Sequence, residues 1–215
     1  MKKIAIFGSS GHGSDVADIA IDNGYTDIIF LTQDIGIESY CGFSVMKDTP
    51  EVVKKLDEKG FYFALGVGDP ALREKIYTKY PTLSYPTLIH SSVTKGNCQQ
   101  RSINTCRGSI FAAGSRISNN VIVGDFCFIG INTVIGHDCI VENFVSLMPC
   151  VVISGNVHIY KGAYLGCNSS LRQGMPDRKL LIGKFSIVGM GTVVLKDVPE
   201  NHRAIGVPAI NSQKL

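Results

Sequence analysis

A repeat of six residues constrains this chain more than any other feature. From Ile117, every sixth position is Val123, Ile129, Ile135, Val141, Leu147, Ile153, Ile159, Leu165 and Leu171: ten large aliphatics in ten places. With about a quarter of residues aliphatic, such agreement arises by chance on the order of once in a million for a chosen register. Four residues after each of the first nine stands a small or β-branched side chain: Val121, Cys127, Thr133, Cys139, Val145, Val151, Val157, Ala163 and Ser169. Glycine follows the aliphatic column at Gly124, Gly130, Gly136, Gly166, Gly183 and Gly189. Period six matches neither an amphipathic helix nor a heptad. It matches short strands joined at glycine-permitted corners, each coil stacked on the last at roughly 4.8 Å. The large aliphatics fill the interior, and the small column allows close approach at the bends.

The rhythm breaks after Leu171 and resumes at Ile182, Val188 and Val194. The spacing of eleven from 171 to 182 leaves five residues to bulge out as a loop. Arg172, Arg178 and Lys179 in it either face the phosphates of a cofactor or belong to a tolerated surface insertion.

The N-terminal third has a different grammar. Ile4–Phe7 is a buried-strand run ending in Gly8-Ser9-Ser10-Gly11-His12-Gly13; Val16, Ile19 and Ala20 follow at helical spacing, with Asn23-Gly24 as a stop. A strand at Ile28–Leu31 completes a β-α-β unit. Glycines at the strand-to-helix turn let backbone N–H groups approach a phosphate, although the turn is not G-x-G-x-x-G and packing explains it equally well. A further strand, Phe61–Val67, runs into Gly68-Asp69-Pro70 and a helix carrying Arg73. Leu88-Ile89-His90 passes the chain into the first coils.

Composition excludes several classes. Net charge is +3, from 21 basic and 18 acidic residues, so neither nucleic acid nor an anionic membrane is expected as a partner. No run approaches the roughly 20 apolar residues of a membrane span, and no signal-peptide pattern opens the chain. Cysteines at 41, 98, 106, 127, 139, 150 and 167 form no C-x-x-C pair. Reduced thiols in a cytoplasmic protein without a metal site are the expectation.

The repeat resembles that of the hexapeptide-repeat acyltransferases over about residues 90–209. Read with the Gly8–Gly13 turn, Gly68-Asp69 with Arg73, and Leu88-Ile89-His90, the chain looks like the nucleotide-sugar acetyltransferases akin to sialic acid O-acetyltransferase and bacillosamine-pathway N-acetyltransferase. Ile135-Gly136-His137-Asp138-Cys139, Ile187-Val188-Gly189-Met190-Gly191 and Gly206-Val207-Pro208-Ala209 extend the match. Gln173-Gly174-Met175-Pro176 in the interrupted loop is most similar to the perosamine N-acetyltransferase branch. The resemblance implies a Rossmann-like nucleotide-sugar-binding domain over residues 1–88. A left-handed parallel β-helix that binds acetyl-CoA would follow over 89–215, in a homotrimer with its active site between subunits. It implies His137 as general base and Asp138 as the group that orients it. Ser10, Gly11, His12, Thr32, Gln33 and Gly68 would touch the nucleotide sugar, and Ser146, Cys167, Gly189 and Met190 would touch acetyl-CoA. Thr32-Gln33 stands where the family usually carries acidic residues, which leaves the nucleotide base open.

The chemistry expected is transfer of acetyl to the 4-amino group of a nucleotide-linked 4-amino-4,6-dideoxy sugar in bacterial surface-glycan (O-antigen) biosynthesis. Imidazole, with an ordinary pKa of about 6.5, suits the proton that the attacking amine sheds. The oxyanion needs a donor, for which the Gly155 N–H is the candidate on the cofactor side. O-acetylation of a sialic-acid-like sugar is an alternative that needs the same base, and a non-catalytic nucleotide-sugar-binding protein is another. Of the remaining histidines, His90 is expected to cap, and His158 and His202 to lie at the surface. Phe126, Phe128, Phe144 and Tyr164 would either leave apolar patches for subunit contact or lie under the N-terminal domain.

Overall fold

In a computed structural model, residues 2–34, 36, 38–97, 103 and 105–213 are described, so Cys98 lies outside them. The N-terminal unit is a five-stranded sheet with helices on both faces. Its elements are β1 (Lys2–Phe7), α1 (Gly11–Asp22), β2 (Tyr25–Thr32), β3 (Ser39–Tyr40), β4 (Phe43–Lys47), α2 (Pro50–Glu58), β5 (Tyr62–Leu65) and α3 (Pro70–Lys79). Strand order is β3-β4-β2-β1-β5, parallel except for the β3–β4 hairpin. Side chains alternate across β1, as strand geometry requires. Ile4 and Ile6 pack with Val16 and Ile19 of α1, while Ala5 and Phe7 pack with Val53 and Leu56 of α2. Thr49 and Asp69 cap α2 and α3, accepting from the N–H groups of Val52 and Leu72. Gly13 and Gly66 let α1 close onto the sheet, since a Cβ on Gly66 would stand 2.9 Å from the Gly13 Cα. The glycine turn is therefore a packing device as well as an opening.

From Leu88 the chain winds into a left-handed parallel β-helix with three flat faces. The first face stacks Leu88–Ile89, Ile110–Phe111, Phe128–Ile129, Ser146–Leu147, Tyr164–Leu165 and Ile187–Val188, and ends in the hairpin of His202–Ile205 with Ile210–Gln213. The second stacks Thr94–Lys95, Arg116–Ile117, Val134–Ile135, Val152–Ile153, Ser170–Leu171 and Val193–Val194. Ile122–Val123, Ile140–Val141, Val157–Ile159 and Leu180–Ile182 form the third. Both columns read from the sequence are interior: every residue from Ile117 to Leu171 in the aliphatic series, and from Val121 to Ser169 in the small series, is at most 5% exposed. The five-residue bulge is also found, because Ile182 pairs with Ile159 once the loop is passed.

The corners differ from expectation. Gly124, Gly130 and Gly136 are not the turning residues; the left-handed backbone falls three residues after the aliphatic, at Asn120, Phe126, Asn132, Asp138, Phe144, Cys150, Asn156 and Asn168. The glycines serve coil-to-coil contact instead. A Cβ on Gly130 would lie 2.7 Å from the Leu147 carbonyl oxygen of the next coil, and one on Gly136 2.6 Å from the Gly155 nitrogen.

Phe126, Phe128 and Phe144 are 2%, 2% and 5% exposed, so they offer no surface for subunit contact. They lie under the N-terminal unit: Phe126 stacks on Phe144 at 5.2 Å, Tyr77 and Tyr85 close over them, and Phe128 meets His12. The earlier coils of the first face are thus covered within one chain. The outward positions of the other two remain open, with Val134, Val152 and Ile122 exposed.

Candidate active site

His137 and Asp138 sit at the edge between the second and third faces, after the strand Val134–Ile135. Asp138 is the corner residue, with φ of 60°, a conformation that Asp adopts more readily than most side chains. Its carboxylate Oδ2 lies 2.6 Å from His137 Nδ1, and its Oδ1 accepts from Asn120 Nδ2 at 2.5 Å. Hydrogen bonds from His137 and Asn120 hold this carboxyl below the usual range, so it is ionised at neutral pH. An ionised partner at Nδ1 fixes the proton there and leaves Nε2 as the acceptor. The imidazole is half exposed.

The next coil presents Gly155 beneath that ring. A Cβ at Gly155 would stand 2.5 Å from His137 Nε2, so only glycine leaves the imidazole its position. Among the described residues the Gly155 N–H donates to no group, while its carbonyl accepts from Gly174 N at 3.0 Å. One coil further, the inserted loop folds over the same edge, and Lys179 Nζ donates to the Asp138 carbonyl. Asn120 escaped sequence reading, and Lys179, read there as a residue for cofactor phosphates, was not placed beside Asp138. Asn120 stands 18 residues before Asp138, one full turn in the same column, and that period could have found it.

The nucleotide-side residues divide into two groups. Thr32 and Gln33 line a groove of about 530 Å³ at the carboxyl ends of β1 and β2, with Gly8, Asp34, Asp48, Lys75 and Lys79. Ser10 and Gly11 are exposed at the start of α1. His12 turns towards the β-helix, its ring 4.0 Å from that of Phe128 and its Nε2 buried without a partner. Burial, reinforced by Arg73, lowers its pKa to about 4. Gly68 faces His12 and also borders a second groove, of about 470 Å³, between the start of α3 and the β-helix, lined by Asp69, Met148, Tyr164, Phe185 and Ile187.

Ser146 stands apart from the other residues expected to meet acetyl-CoA. It is wholly buried at the junction, donating to the Gly68 carbonyl at 2.7 Å and accepting from Arg73 at 2.8 Å. Cys167, Gly189 and Met190 gather at the edge between the first and second faces, where Gly191 N bonds the Cys167 carbonyl and Met190 is 79% exposed. His137 and Gly155 occupy a different edge of the same prism. His90 caps as expected, through Ser92. His158 is not a free surface residue: it bonds Glu142 at 2.8 Å and stacks on Tyr160 at 4.0 Å, which half-buries it. His202 bonds the Glu200 carbonyl. No helix among the described residues is long and apolar enough to cross a membrane.

Comparison with known proteins agrees with this architecture. Residues 3–80 match the family described as PglD N-terminal domain. GDP-perosamine N-acetyltransferase of Escherichia coli O157:H7 is 37% identical over 102 residues, 47% of this chain and 46% of that protein, so the alignment spans about half of the curated relative. The acetyltransferase domain of PglB from Neisseria gonorrhoeae FA1090 superposes with a TM-score of 0.86 at 26% identity, covering 98% of this chain and 99% of that one. PerB from Caulobacter crescentus, solved with CoA and GDP-perosamine, gives a TM-score of 0.86 at 27% identity over 99% and 98% of the two chains. The N-terminal third thus matches the PglD N-terminal domain, and the fold is similar from end to end to those of the PglB and PerB acetyltransferases.

Proposed function

We propose that this protein transfers acetyl from acetyl-CoA to the 4-amino group of a nucleotide-linked 4-amino-4,6-dideoxy sugar. The observation that carries the reading is the His137–Asp138 pair. Its carboxylate is fixed from behind by Asn120, and its imidazole is laid open over Gly155. The relatives, one named for GDP-perosamine and one solved with CoA and GDP-perosamine, supply the substrate class.

In this reading the amine attacks the thioester carbonyl, and His137 Nε2 takes the proton that the nitrogen sheds. Asp138 stabilises the imidazolium, the Gly155 N–H meets the oxyanion, and the proton returns to the departing thiolate. Residues 1–88 act as the nucleotide-sugar unit, through Ser10, Gly11, His12, Thr32, Gln33 and Gly68. Residues 89–215 hold acetyl-CoA, through Gly155, Cys167, Gly189 and Met190, whereas Ser146 serves the junction. Because the coenzyme-side residues lie on two different edges, a site using both draws on two copies of the chain. That arrangement, with Val134, Val152 and Ile122 exposed on the open faces, supports a homotrimer. Surface-glycan (O-antigen) synthesis in the cytoplasm is the setting in which such sugars are made.

The test is acetyl-CoA with GDP-, UDP- and dTDP-linked 4-amino-6-deoxy sugars, following free thiol. Release with one of these and not with free sialic acids is expected. Release with sialic acids alone would move the assignment to O-acetylation, and binding without release to a non-catalytic role.

A further inference from the structure

Asp138 is engaged at every hydrogen-bonding atom it has. Its N–H donates to the Asn119 carbonyl at 3.1 Å, and its own carbonyl accepts from Lys179 Nζ. Of the carboxylate oxygens, Oδ2 meets His137 Nδ1 at 2.6 Å, and Oδ1 accepts from Asn120 Nδ2 at 2.5 Å. The two backbone contacts hold the corner, whereas the two carboxylate contacts set the rotation of the side chain.

Asn120 precedes Asp138 by one coil in the same corner column, and both have left-handed backbone, with φ of 56° and 60°. Stacked coils stand roughly 4.8 Å apart, close enough for an amide on one corner to bond a carboxylate on the next. A carboxylate without such a partner turns broadly about its last bond. The Asn120 amide removes that freedom by holding Oδ1, which leaves Oδ2 aimed at the imidazole. Being neutral, it orients the carboxylate without cancelling the charge that the imidazolium needs. Slack at the ring is small: a Cβ on Gly155 would stand 2.5 Å from Nε2 and 2.6 Å from Cε1. A turn of the Asp138 carboxylate is therefore passed on to the reacting nitrogen.

We infer that Asn120 is a positioning residue for acetyl transfer: through Asp138 it keeps the His137 proton on Nδ1 and Nε2 free to accept. The inference rests on the proposed reaction and adds a residue that acts through the pair rather than on the substrate.

Two variants keep the corner and remove the donor. Asn120→Gly suits the left-handed backbone. Asn120→Asp retains the shape and sets a carboxylate against a carboxylate. Each is checked for folding by circular dichroism and thermal melting. Nitrogen NMR of the imidazoles, taken above their ordinary pKa of about 6.5, reads the tautomer. The His137 signals are those lost in His137→Gln. The Nδ1-protonated pattern is expected in the unsubstituted chain, moving in both variants towards the mixture of tautomers that an unrestrained imidazole shows. By thiol release, kcat should fall about 10–100-fold, the scale seen when a partner that orients a metal-binding histidine is removed. Both KM values should stay within about twofold. In an Asp138→Asn background, Asn120→Gly should change kcat by less than about twofold, because the pair it serves is already broken.

An imidazole pattern that is the same with and without the Asn120 amide overturns the inference, whatever the rates. So does an undiminished loss of kcat in the Asp138→Asn background. A rise in KM with kcat kept also overturns it, by making Asn120 a substrate contact. If the unsubstituted chain turns over none of the nucleotide sugars, the acetyltransferase reading falls on its own, and the imidazole pattern alone decides the part of Asn120.

Discussion

At His137 the imidazole rests over a residue with no side chain, and this arrangement makes sharp predictions about single atoms. Gly155 is not among the left-handed residues, so alanine fits its backbone; the atoms nearest the new Cβ would be those of the movable His137 ring. Gly155→Ala is expected to leave thermal stability nearly unchanged and to cut kcat about a hundredfold, the scale of an ångström misplacement. Retained turnover would mean that the ring does not act from this position. His137→Ala should remove the base outright, lowering turnover about 10²–10⁴-fold in a folded protein, measured by thiol release and circular dichroism. His12 makes a different prediction, of stability against pH. Its pKa falls to about 4 in the folded chain against 6.5 unfolded. Between those values the unfolded state holds the extra proton, so stability declines as pH falls from about 6.5 to 4 and levels off below. The loss is at most roughly 3 kcal/mol for such a shift. His12→Phe keeps a ring against Phe128 and should flatten this part of the curve in urea melts at pH 7 and 4.5; an unchanged slope would rule out His12 as its source.

The coil, as an element, separates two demands that the sequence presents together. The six-residue aliphatic column was fully legible because a closed interior has room for one kind of side chain, and Ile117 through Leu171 declare it. The turn conformation was not, because Asn, Asp, Phe and Cys share the left-handed corner with glycine and no single residue type marks it. Asn132→Gly should therefore be close to neutral, whereas Asn132→Val should cost about 1–2 kcal/mol for a branched residue in that conformation. Gly130→Ala tests the other demand, since its Cβ would press the Leu147 carbonyl and Met148 backbone of the next coil, which cannot give way. A larger fall in melting temperature than for Asn132→Val is expected. The site was legible to a similar extent. His137-Asp138 is a local pair and reads from adjacent letters, and Gly155 was named as an oxyanion donor, but Asn120 and the contact of Lys179 with Asp138 arrive from other turns of the solenoid. Ser146 was assigned to a ligand because nothing in its neighbourhood along the chain reveals that Gly68 and Arg73 arrive above it. Ser39–Lys47 and Pro50–Glu58 went unread as strands and helix, being short and tied to the β-α-β unit through tertiary packing.

In the whole molecule, the junction between the two units is centred on one buried cation. Arg73 of α3 is 2% exposed and donates to the carbonyls of Val67 and Gly68 in its own unit. Across the junction it donates to those of Phe126, Phe144 and Val145 and to the Ser146 hydroxyl, at 2.8–3.1 Å. Burial lowers its pKa to about 10, so it remains charged at neutral pH, and the carbonyl dipoles compensate in place of a carboxylate. The guanidinium is suited to this because it presents five N–H donors in one rigid plane, where a lysine offers three. Arg73→Met would fill much of the space and leave those acceptors buried without donors, at about 1–3 kcal/mol for each that stays dry. The aromatic contacts of Tyr77 and Tyr85 with Phe126 would still hold the surfaces together, so the loss falls on orientation as well as stability. For a chain of this size, about 3 kcal/mol corresponds to a melting temperature lowered by roughly 6–12 °C. Calorimetry of Arg73→Met should show that fall, together with a broadened or divided transition as the N-terminal unit unfolds ahead of the coils. Arg73→Lys should lie between it and the unsubstituted chain. A single, sharp transition within about 3 °C of the original would mean that the aromatic seam and the peripheral polar contacts of Asp22, Asn23 and Glu74 join the two units without Arg73.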